Sequence, residues 1–540
     1  MPDTKPDSSI WRLANSSGLR VEANSNGSLR RFDCNALSLA LFVGNELEGG
    51  PANLFLRRRG TEPDWTPLLG PLSPTRFQAD PAGRRLLGSG SWRGINYSIA
   101  FVLAQSEHAW YWHVELENAA TSAQEVDLTY AQDVALAAYG AIRLNEYYVS
   151  QYLDHTPLRH PKYGYMVATR QNLAVEGRYP WCLIGSLRNG RSFATDAKQF
   201  HGLASRAGDA PVGMTGDLPD RRLQHEHAMV VIRDATIRLE VGNSVEAGFF
   251  GLHVESHPDA TSPADADRAR MAIELPEAKS PGISTSARPG GTRAEAATAG
   301  SPNATLFSSA PLLNGLDLGF DALRNLFGPG WRHEEVDDRG ERLSFFHGTD
   351  RHVVLRAKEL RVLRPHGHIL RTGTHTTPDE TALTSTVWMN GVFHSMVTQG
   401  HVSINRFLST THTYLSLFRS HGQRVFAEIG GRWQLLNIPS AFEIAPDACR
   451  WIYSHDDGKI EVRAAAHHDP QELTLSIQIL SGAPTRFLLS HHVALNDDDG
   501  SAPGPALMRR DGDKIVLAPA PETDLGRRFP NGSFHIEPLS

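Results

Sequence analysis

The sequence has only three cysteines, Cys34, Cys182 and Cys449, and they lie far apart in the 540-residue chain. An odd and widely spaced set excludes a disulfide framework and a zinc site built from cysteines. No stretch approaches the roughly 18 apolar residues of a membrane-spanning helix, and the first seven residues lack the apolar core of a signal peptide. We therefore expect no membrane segment and a cytoplasmic location, where thiols stay reduced.

An excess of positive charge is also missing. The formal net charge is -7 and the arginines are dispersed, so nothing favours nucleic-acid binding, which needs a basic surface. The one short basic run, residues 57–59, predicts a solvated strand end.

Signature motifs of common enzymes are absent as well. The sequence contains no Gly-rich phosphate loop, no dinucleotide fingerprint and no Gly-x-Ser-x-Gly elbow. The histidines at 225, 227, 467, 468, 491 and 492 lack a third ligand at zinc-site spacing, and we interpret them as exposed strand residues. The acidic clusters 456–457 and 497–499 adjoin glycine and predict turns, since a glycosidase pair needs a rigid separation of roughly 5 to 9 Å. We therefore predict no metal.

What the sequence does contain is a long series of short strand patterns. Residues 110–117 alternate, with Trp110, Trp112, Val114 and Leu116 on one face, as in a sheet over a core. The pair Asn26-Gly27 is typical of a hairpin turn. We predict strands at 20–23, 37–43, 54–58, 95–103, 110–117, 126–134, 353–355, 384–389, 424–429, 433–438, 460–464, 473–479 and 487–491. We predict helices at 264–274, 313–327 and 401–418.

These patterns predict an all-β dominated protein with few helices and two large antiparallel β-sandwich domains. The first domain is predicted over residues 1–257. Residues 258–312 are rich in Pro, Ala, Ser and Gly, and they predict a linker too poor in apolar residues to form a core. The second domain, residues 313–540, begins with a short helix.

Residues 145–155 combine tyrosines, amides, carboxylates and a histidine in eleven positions. Such a mixture suits a sugar, whose C–H faces stack on rings and whose hydroxyls form paired hydrogen bonds. The same pattern also fits a half-buried edge of a β-domain, where tyrosines are amphipathic packing residues. The candidate carbohydrate-binding residues here are Asn145, Glu146, Tyr147, Tyr148, Gln151, Tyr152, Asp154 and His155.

A second polar segment lies at residues 361–371, where arginines and histidines surround Pro365 and Gly367. Its donors could hold sugar hydroxyls or a phosphate, and the alternative is a polar contact between domains. The candidates in this segment are Arg364, His366, His368 and Arg371.

Several stretches together resemble one family. They are residues 44–57 (GNELEGGPANLFLR), 67–70 (PLLG), 132–134 (QDV), 150–156 (SQYLDHT), 169–172 (TRQN), 364–371 (RPHGHILR), 422–424 (GQR) and 439–444 (PSAFEI). This pattern is similar to the N-terminal half of 1,2-β-oligoglucan phosphorylases, in the cellobiose-phosphorylase-like glycoside hydrolase family 94. The resemblance covers nearly the whole chain except the predicted linker.

The resemblance implies supersandwich domains of the galactose-mutarotase-like kind. It also implies a reaction in which phosphate attacks a β-1,2-glucoside and releases α-glucose 1-phosphate with inversion, assisted by an aspartate general acid and without a cofactor. In the family that aspartate lies in an (α/α)6 barrel. Residues 1–540 contain no long alternation of amphipathic helices, so we predict that this chain lacks the barrel and therefore the catalytic residue.

The implied ligands are β-1,2-glucooligosaccharide and phosphate. The barrel would be a separate partner chain if the gene is split, or part of the same polypeptide if this sequence is truncated, and the resemblance also allows a homodimer. Two other functions stay open. The chain could be a stand-alone β-glucan-binding or scaffolding protein, or an autonomous glycoside hydrolase or transglycosylase that uses Glu146 and Asp154.

Overall fold

The computed structural model describes residues 10–62, 64–80, 83–224, 227–279, 301, 303–375, 380–400, 406–409, 415–495 and 506–539. The chain forms two compact units. The first comprises Met1–Gly202 and Ala210–Ser309, and the second comprises Leu203–Asp209 and Ala310–Ser540. Both are built mainly from antiparallel strands, as the sequence predicts.

The first unit is a set of short strands with a few helical turns between them. Its strands are β1 (Trp11–Ala14), β2 (Leu19–Ala23), β3 (Leu29–Cys34), β4 (Leu37–Ser38), β5 (Asn53–Arg58), β6 (Asp64–Pro67), β7 (Arg76–Ala79), β8 (Arg85–Trp92), β9 (Ile95–Leu103), β10 (Ala109–Asn118), β11 (Gln124–Asp133), β12 (Ala137–Ala138), β13 (Leu153–His160), β14 (Gly164–Gln171), β15 (Trp181–Ser186), β16 (Gly190–Asp196), β17 (Ala228–Asp234), β18 (Ile237–Leu239) and β19 (Ser244–Val254). Its helices are α1 (Tyr139–Leu144), α2 (Glu146–Gln151), α3 (Ala197–His201), α4 (Val212–Thr215), α5 (Arg270–Ile273) and α6 (Leu306–Ser309), and its 3-10 turns are Pro263–Ala269 and Pro276–Ala278.

Within the described residues these strands form two sheets. A five-stranded sheet has the order β1-β2-β3-β4-β12, and a fourteen-stranded sheet has the order β6-β5-β11-β17-β16-β14-β15-β19-β10-β9-β8-β7, with β13 beside β14 and β18 beside β11. The core of the first unit includes Phe32, Trp110, Trp112 and Phe249. The alternation predicted for residues 110–117 is confirmed, because Trp110, Trp112, Val114 and Leu116 all lie in that core.

The segment predicted as a linker is partly folded onto the first unit. Ser262 and Asp265 form a capping box at the start of Pro263–Ala269, which continues into α5. Ala266, Ala269 and Ala272 are buried in a second cluster with Tyr111 and Phe250. Small side chains can pack closely on a sheet, so a composition poor in large apolar residues did not prevent burial. The predicted boundaries at 257 and 312 stay a prediction.

The second unit also consists of strands with few helices. Its strands are β20 (Leu312–Leu313), β21 (Arg332–Val336), β22 (Arg342–His347), β23 (Arg351–Leu355), β24 (Gly367–Arg371), β25 (Leu383–Trp388), β26 (Val392–Gln399), β27 (Gln423–Ile429), β28 (Arg432–Leu436), β29 (Ala441–Ala445), β30 (Ala448–His455), β31 (Gly458–His468), β32 (Gln471–Ser481), β33 (Phe487–His491), β34 (Ala506–Asp511), β35 (Lys514–Pro519) and β36 (Phe534–Ile536). Its helices are α7 (Phe320–Phe327), α8 (Arg356–Glu359) and α9 (Asp524–Arg528), with a 3-10 turn at Ala204–Ala207.

Its described strands form two seven-stranded sheets and a small third sheet. One has the order β20-β28-β27-β26-β25-β24 with β33 beside β27, another β21-β22-β23-β29-β30-β31-β32, and the third β34-β35-β36. The core joins Phe393, Phe442, Trp451 and Tyr453. The longest α-helix in the described part of the chain is Phe320–Phe327, so this part contains no ring of long paired helices.

Three predicted elements differ from the structure. The strand predicted at 37–43 stops at Ser38, because the backbone N–H groups of Leu41 and Phe42 donate to the Asp133 carboxylate instead of a neighbouring strand. The helix predicted at 313–327 is confined to Phe320–Phe327, because Leu313 belongs to a strand that pairs with β28.

The third is the helix predicted at 401–418. Most of this helix lies outside the described residues. The described residues 406–409 and 415–418 are not helical, and Leu408 forms a bridge with Val493.

Candidate functional site

Residues 145–155 form a corner in which a short helix leads directly into a strand. The side chain of Asn145 caps α2 by accepting the backbone N–H of Tyr148, 3.0 Å away. Val149 and Ser150 face the interior, whereas Gln151 is exposed. The chain then turns at Tyr152 and enters β13. The segment is therefore helical in its first part and extended in its second.

Two aromatic pairs distinguish this corner. The rings of Tyr148 and Tyr152 lie 4.7 Å apart at 55°, and Tyr148 is 47% exposed. A hydrogen bond with Tyr152 raises the pKa of the Tyr148 phenol. The preceding residue, Tyr147, stacks on His227 with ring centroids 5.6 Å apart. The corner thus presents one accessible pair of aromatic rings, while the other pair is anchored against the protein.

His227 corrects one prediction from the sequence. The sequence predicts an exposed strand histidine at this position, but His227 is buried and its ring contacts the rings of Tyr147 and Phe42. Residues 225 and 226 lie outside the described residues. The prediction of exposed strand histidines is confirmed for His467 and His468 at the end of β31, whereas His491 and His492 are half-buried.

The remaining candidates of this segment divide between surface and core. Asp154 is half-buried and accepts a hydrogen bond from Arg222. Glu146 and His155 are buried, so neither presents its side chain to solvent. The ring of His155 instead contacts the Thr169 hydroxyl on the neighbouring strand, at 2.9 Å from Nδ1. The surface of the corner is therefore made by Asn145, Tyr148, Gln151, Tyr152 and Asp154 with Arg222.

Burial of histidines predicts that acid destabilises the first unit. Burial lowers the pKa of His155 and His253 to about 3 and that of His201 to about 4. The unfolded chain binds these protons below its ordinary histidine pKa of about 6.5 and the folded unit does not, so stability is complete above that pH and falls as the pH drops towards 4. Asp133, whose pKa burial raises to about 6, binds a proton in the folded state and offsets one of the three. Buried Asp33 and Asp234, with raised pKa values, add to the offset.

We therefore expect the free energy of unfolding of the first unit to fall between pH 6 and pH 4, with a slope of about 1.4 kcal/mol per pH unit for each net proton that only the unfolded chain binds. Urea unfolding at several pH values measures it. In His253→Gln this slope should decrease by about 1.4 kcal/mol per pH unit, which is the contribution of one proton. A pH-independent unfolding midpoint in the intact chain would contradict the prediction.

The segment 361–371 forms a different arrangement in the second unit. Glu359 is fully buried, accepts a hydrogen bond from His366 Nδ1 at 2.7 Å, and lies 3.9 Å from buried Arg206. Arg206 also donates to the carbonyl of Val362. His366 is thus held in a structural network that ties the turn after α8 to the 3-10 turn at Ala204–Ala207.

The other candidates of that segment are nearer the surface. The ring of His368 contacts the carbonyl of Pro446 at 3.4 Å, Arg371 donates to the carbonyl of His375, and Arg364 is exposed. The two candidate segments lie in different compact units. Their role in ligand binding stays a prediction.

Two residues of the corner, and one buried arginine elsewhere in the first unit, are not predicted from the sequence. Arg222 and Gln224 reach residues 145–155 from about 70 positions away in sequence, and no periodicity or motif marks them. The sequence predicts that the basic run at 57–59 is solvated, which is confirmed for exposed Arg59, whereas Arg57 is buried and paired with Asp127. The turn predicted at Asp456-Asp457 is confirmed, and residues 497–500 lie outside the described residues.

The described residues contain no group of three or more His, Cys, Asp or Glu side chains placed to hold a metal. No helix in the described ranges is long and apolar enough to cross a membrane. The three cysteines are buried free thiols.

Comparison with known proteins connects both units to carbohydrate enzymes. Residues 22–251 match the SOGP N-terminal domain, and residues 329–538 match the glycoside phosphorylase supersandwich domain. A curated relative, the 1,2-beta-oligoglucan phosphorylase of Listeria innocua serovar 6a, is 24% identical over 485 residues. The alignment covers 88% of this chain and 41% of the relative, so the chain spans about two fifths of that protein's length.

Solved structures similar to this chain include a putative aldose 1-epimerase from Escherichia coli K12, with 9% identity and a TM-score of 0.28, covering 46% of this chain and 99% of that one. A putative kojibiose phosphorylase from the human microbiome has 8% identity and a TM-score of 0.27, covering 49% of this chain and 32% of that one.

The fold and the two domain matches define a carbohydrate-active, phosphorylase-related protein of the supersandwich type. More particularly, residues 22–251 form an SOGP N-terminal domain and residues 329–538 form a glycoside phosphorylase supersandwich domain.

Proposed function

We propose that this chain is the non-catalytic β-sandwich portion of a phosphorylase that converts β-1,2-glucooligosaccharide and phosphate to α-glucose 1-phosphate. The catalytic acid would lie in a helical barrel outside residues 1–540, with no cofactor needed. Support comes from the two domain matches and from the curated relative, whose name specifies a 1,2-beta-oligoglucan. The observation that carries a role in substrate binding is the Tyr148–Tyr152 pair, in which Tyr148 is exposed and Tyr152 half-buried, beside a polar surface.

The chemistry of this corner fits a glucan. A pyranose presents C–H groups on its faces, which pack on tyrosine rings, and hydroxyls around its edge, which need paired donors and acceptors. The exposed amide of Gln151 supplies both kinds of group, and the half-buried carboxylate of Asp154 adds an acceptor. The corner therefore combines stacking with hydrogen bonding on one surface.

Replacing Tyr148 with alanine is expected to weaken binding of a β-1,2-glucooligosaccharide about tenfold, because the exposed ring is lost from the pair; about 1.4 kcal/mol corresponds to that factor. Calorimetric titration of the intact chain measures it. Phe529→Ala is the matched control, since Phe529 is an aromatic residue of similar exposure, 49%, in the second unit. Equal affinities for wild type and Tyr148→Ala would contradict a role for this corner.

A second experiment tests the phosphorylase assignment itself. Mixing the chain with a separately expressed barrel chain should give release of glucose 1-phosphate from β-1,2-glucooligosaccharide that depends on phosphate, whereas the chain alone should give none. A β-1,4-glucooligosaccharide of equal length tests the linkage. Binding without turnover in the mixture would favour a stand-alone glucan-binding or scaffolding protein.

The structure gives little support to an autonomous hydrolase. Glu146 is buried and Asp154 is bound by Arg222, whereas a glycosidase needs two carboxylates that flank the scissile bond from opposite sides. Hydrolysis by the chain alone that disappears in Asp154→Asn would instead favour an autonomous hydrolase.

A further inference from the structure

Residues 221–224, which we call the strap, run between two parts of the first unit and are hydrogen-bonded on both sides. The segment follows α4 and precedes β17, and apart from an isolated bridge between Arg221 and Ala194 it is irregular. An irregular segment that is hydrogen-bonded to a rigid sheet on one side can hold a neighbouring element in place on its other side.

On one side the strap is fixed to β16 and α3. The Thr195 hydroxyl donates to the carbonyl of Leu223 at 2.6 Å and accepts the backbone N–H of Leu223 at 2.7 Å. The Gln199 amide donates to the carbonyl of Arg221 at 2.8 Å. Thr195 itself is fully buried. This side of the strap is therefore attached to the rigid sheet.

On the other side the strap holds the corner made by α2 and the start of β13. The Gln224 amide donates to the carbonyl of Gln151, the last residue of α2, at 2.9 Å. The guanidinium of Arg222 binds the carboxylate of Asp154 in β13. The two contacts lie on either side of Tyr152, whose ring pairs with Tyr148.

A helix of six residues such as α2 is far too short to be stable by itself, since isolated helices shorter than about 12–15 residues are marginal in water. Its geometry must come from contacts with the rest of the unit. We propose that the strap positions the glucan-binding corner, with Arg222 and Gln224 as positioning residues that fix the Tyr148–Tyr152 pair through Asp154 and the end of α2. The inference rests on the proposed function of the corner as a glucan-binding surface.

Pre-organisation is the physical reason why such contacts affect affinity. Ordering a loose corner at the moment of binding costs conformational entropy, and a strap that has already ordered it removes part of that cost. The side chain of Arg222 is 48% exposed, so its ion pair adds little to global stability. Loss of this ion pair should therefore change the order of the corner more than the free energy of unfolding of the unit.

The test compares Arg222→Ala/Gln224→Ala with Arg222→Lys in the intact chain. The double variant should bind β-1,2-glucooligosaccharide about five- to tenfold more weakly, while its thermal midpoint stays within about 2 °C of wild type. Amide hydrogen exchange in peptides covering 146–154 should become faster, and exchange in the core strands β10 and β19 should not change. Arg222→Lys should recover part of the affinity, because it keeps a cation beside Asp154.

Arg178→Ala is the matched control, since it removes another exposed ion pair of the first unit, with Glu255. It should change neither affinity nor exchange at 146–154. Unchanged affinity and exchange in the double variant would overturn the strap inference. Absence of binding by wild type would instead contradict the proposed function, so the two failures are distinguishable.

Discussion

Replacing Asp127 with asparagine is expected to destabilise the first unit by about 3–5 kcal/mol, the range found when one partner of a buried ion pair is removed. Arg57 and Asp127 lie directly opposite each other on β5 and β11. Two nitrogens of Arg57 donate to the Asp127 carboxylate at 2.7 and 3.0 Å. Arg233, on the adjacent strand β17, lies 3.6 Å away. All three side chains are buried.

The expected loss follows from the charge balance of this network. Burial lowers the pKa of the Arg233 guanidinium to about 10, which still leaves it protonated at neutral pH. Without the Asp127 charge, two buried cations face each other with no buried anion between them. Both arginines also donate to the carbonyl of Gly216, so the turn that contains α4 should loosen at the same time.

Urea unfolding of the first unit measures this effect, and the midpoint should fall by about 1–2 M for an ordinary dependence on denaturant. Asp217→Asn is the matched control. Asp217 lies 3.9 and 3.8 Å from the same two arginines, but its side chain is 80% exposed, and a change there should stay within about 0.5 kcal/mol. Equal midpoints for Asp127→Asn and Asp217→Asn would show that the buried charge does not stabilise the unit.

Replacing Gly251 with alanine is the second large effect, expected at about 3 kcal/mol. Gly251 on β19 is the cross-strand partner of Trp110 on β10, and an added Cβ would lie 2.0 Å from atoms of the Trp110 ring. The ring cannot move away easily. It is buried, packs edge-on against Phe32 at 4.8 Å, and donates to the Tyr130 hydroxyl at 3.3 Å. Overpacking a filled core forces side chains or backbone out of their minima.

Gly140→Ala provides the comparison, because Gly140 lies in α1 and an added Cβ would meet no atom within 4 Å. There alanine should stabilise the unit by about 0.5–1 kcal/mol, since it restricts the unfolded chain and favours the helix. Thermal unfolding of the two variants should therefore shift in opposite directions. A neutral Gly251→Ala would mean that Trp110 can leave its position without cost.

Local patterns in the sequence determine which residues form strands and which face of each strand is buried. Alternation at residues 110–117 placed Trp110 and Trp112 in the core, and the bounds of β9 and β33 match the predicted strands. These predictions succeed because the pattern of period two depends only on which face of a strand is buried. The polar composition of residues 145–155 left a sugar-binding surface and a half-buried edge both open, and the structure exposes Tyr148 but half-buries Tyr147 and Tyr152.

Other properties depend on residues that meet only in the folded chain. Asp127 neutralises Arg57 on the neighbouring strand, so the first residue of a run that looks solvated in sequence is buried, whereas Arg59 is exposed. Arg222 and Gln224 reach residues 151 and 154 from a distant segment, and Glu359 holds His366 inside the second unit. Sequence patterns report the face of each element, whereas the free energy of a buried charge or a short helix is decided by partners that only the tertiary structure brings within hydrogen-bonding distance.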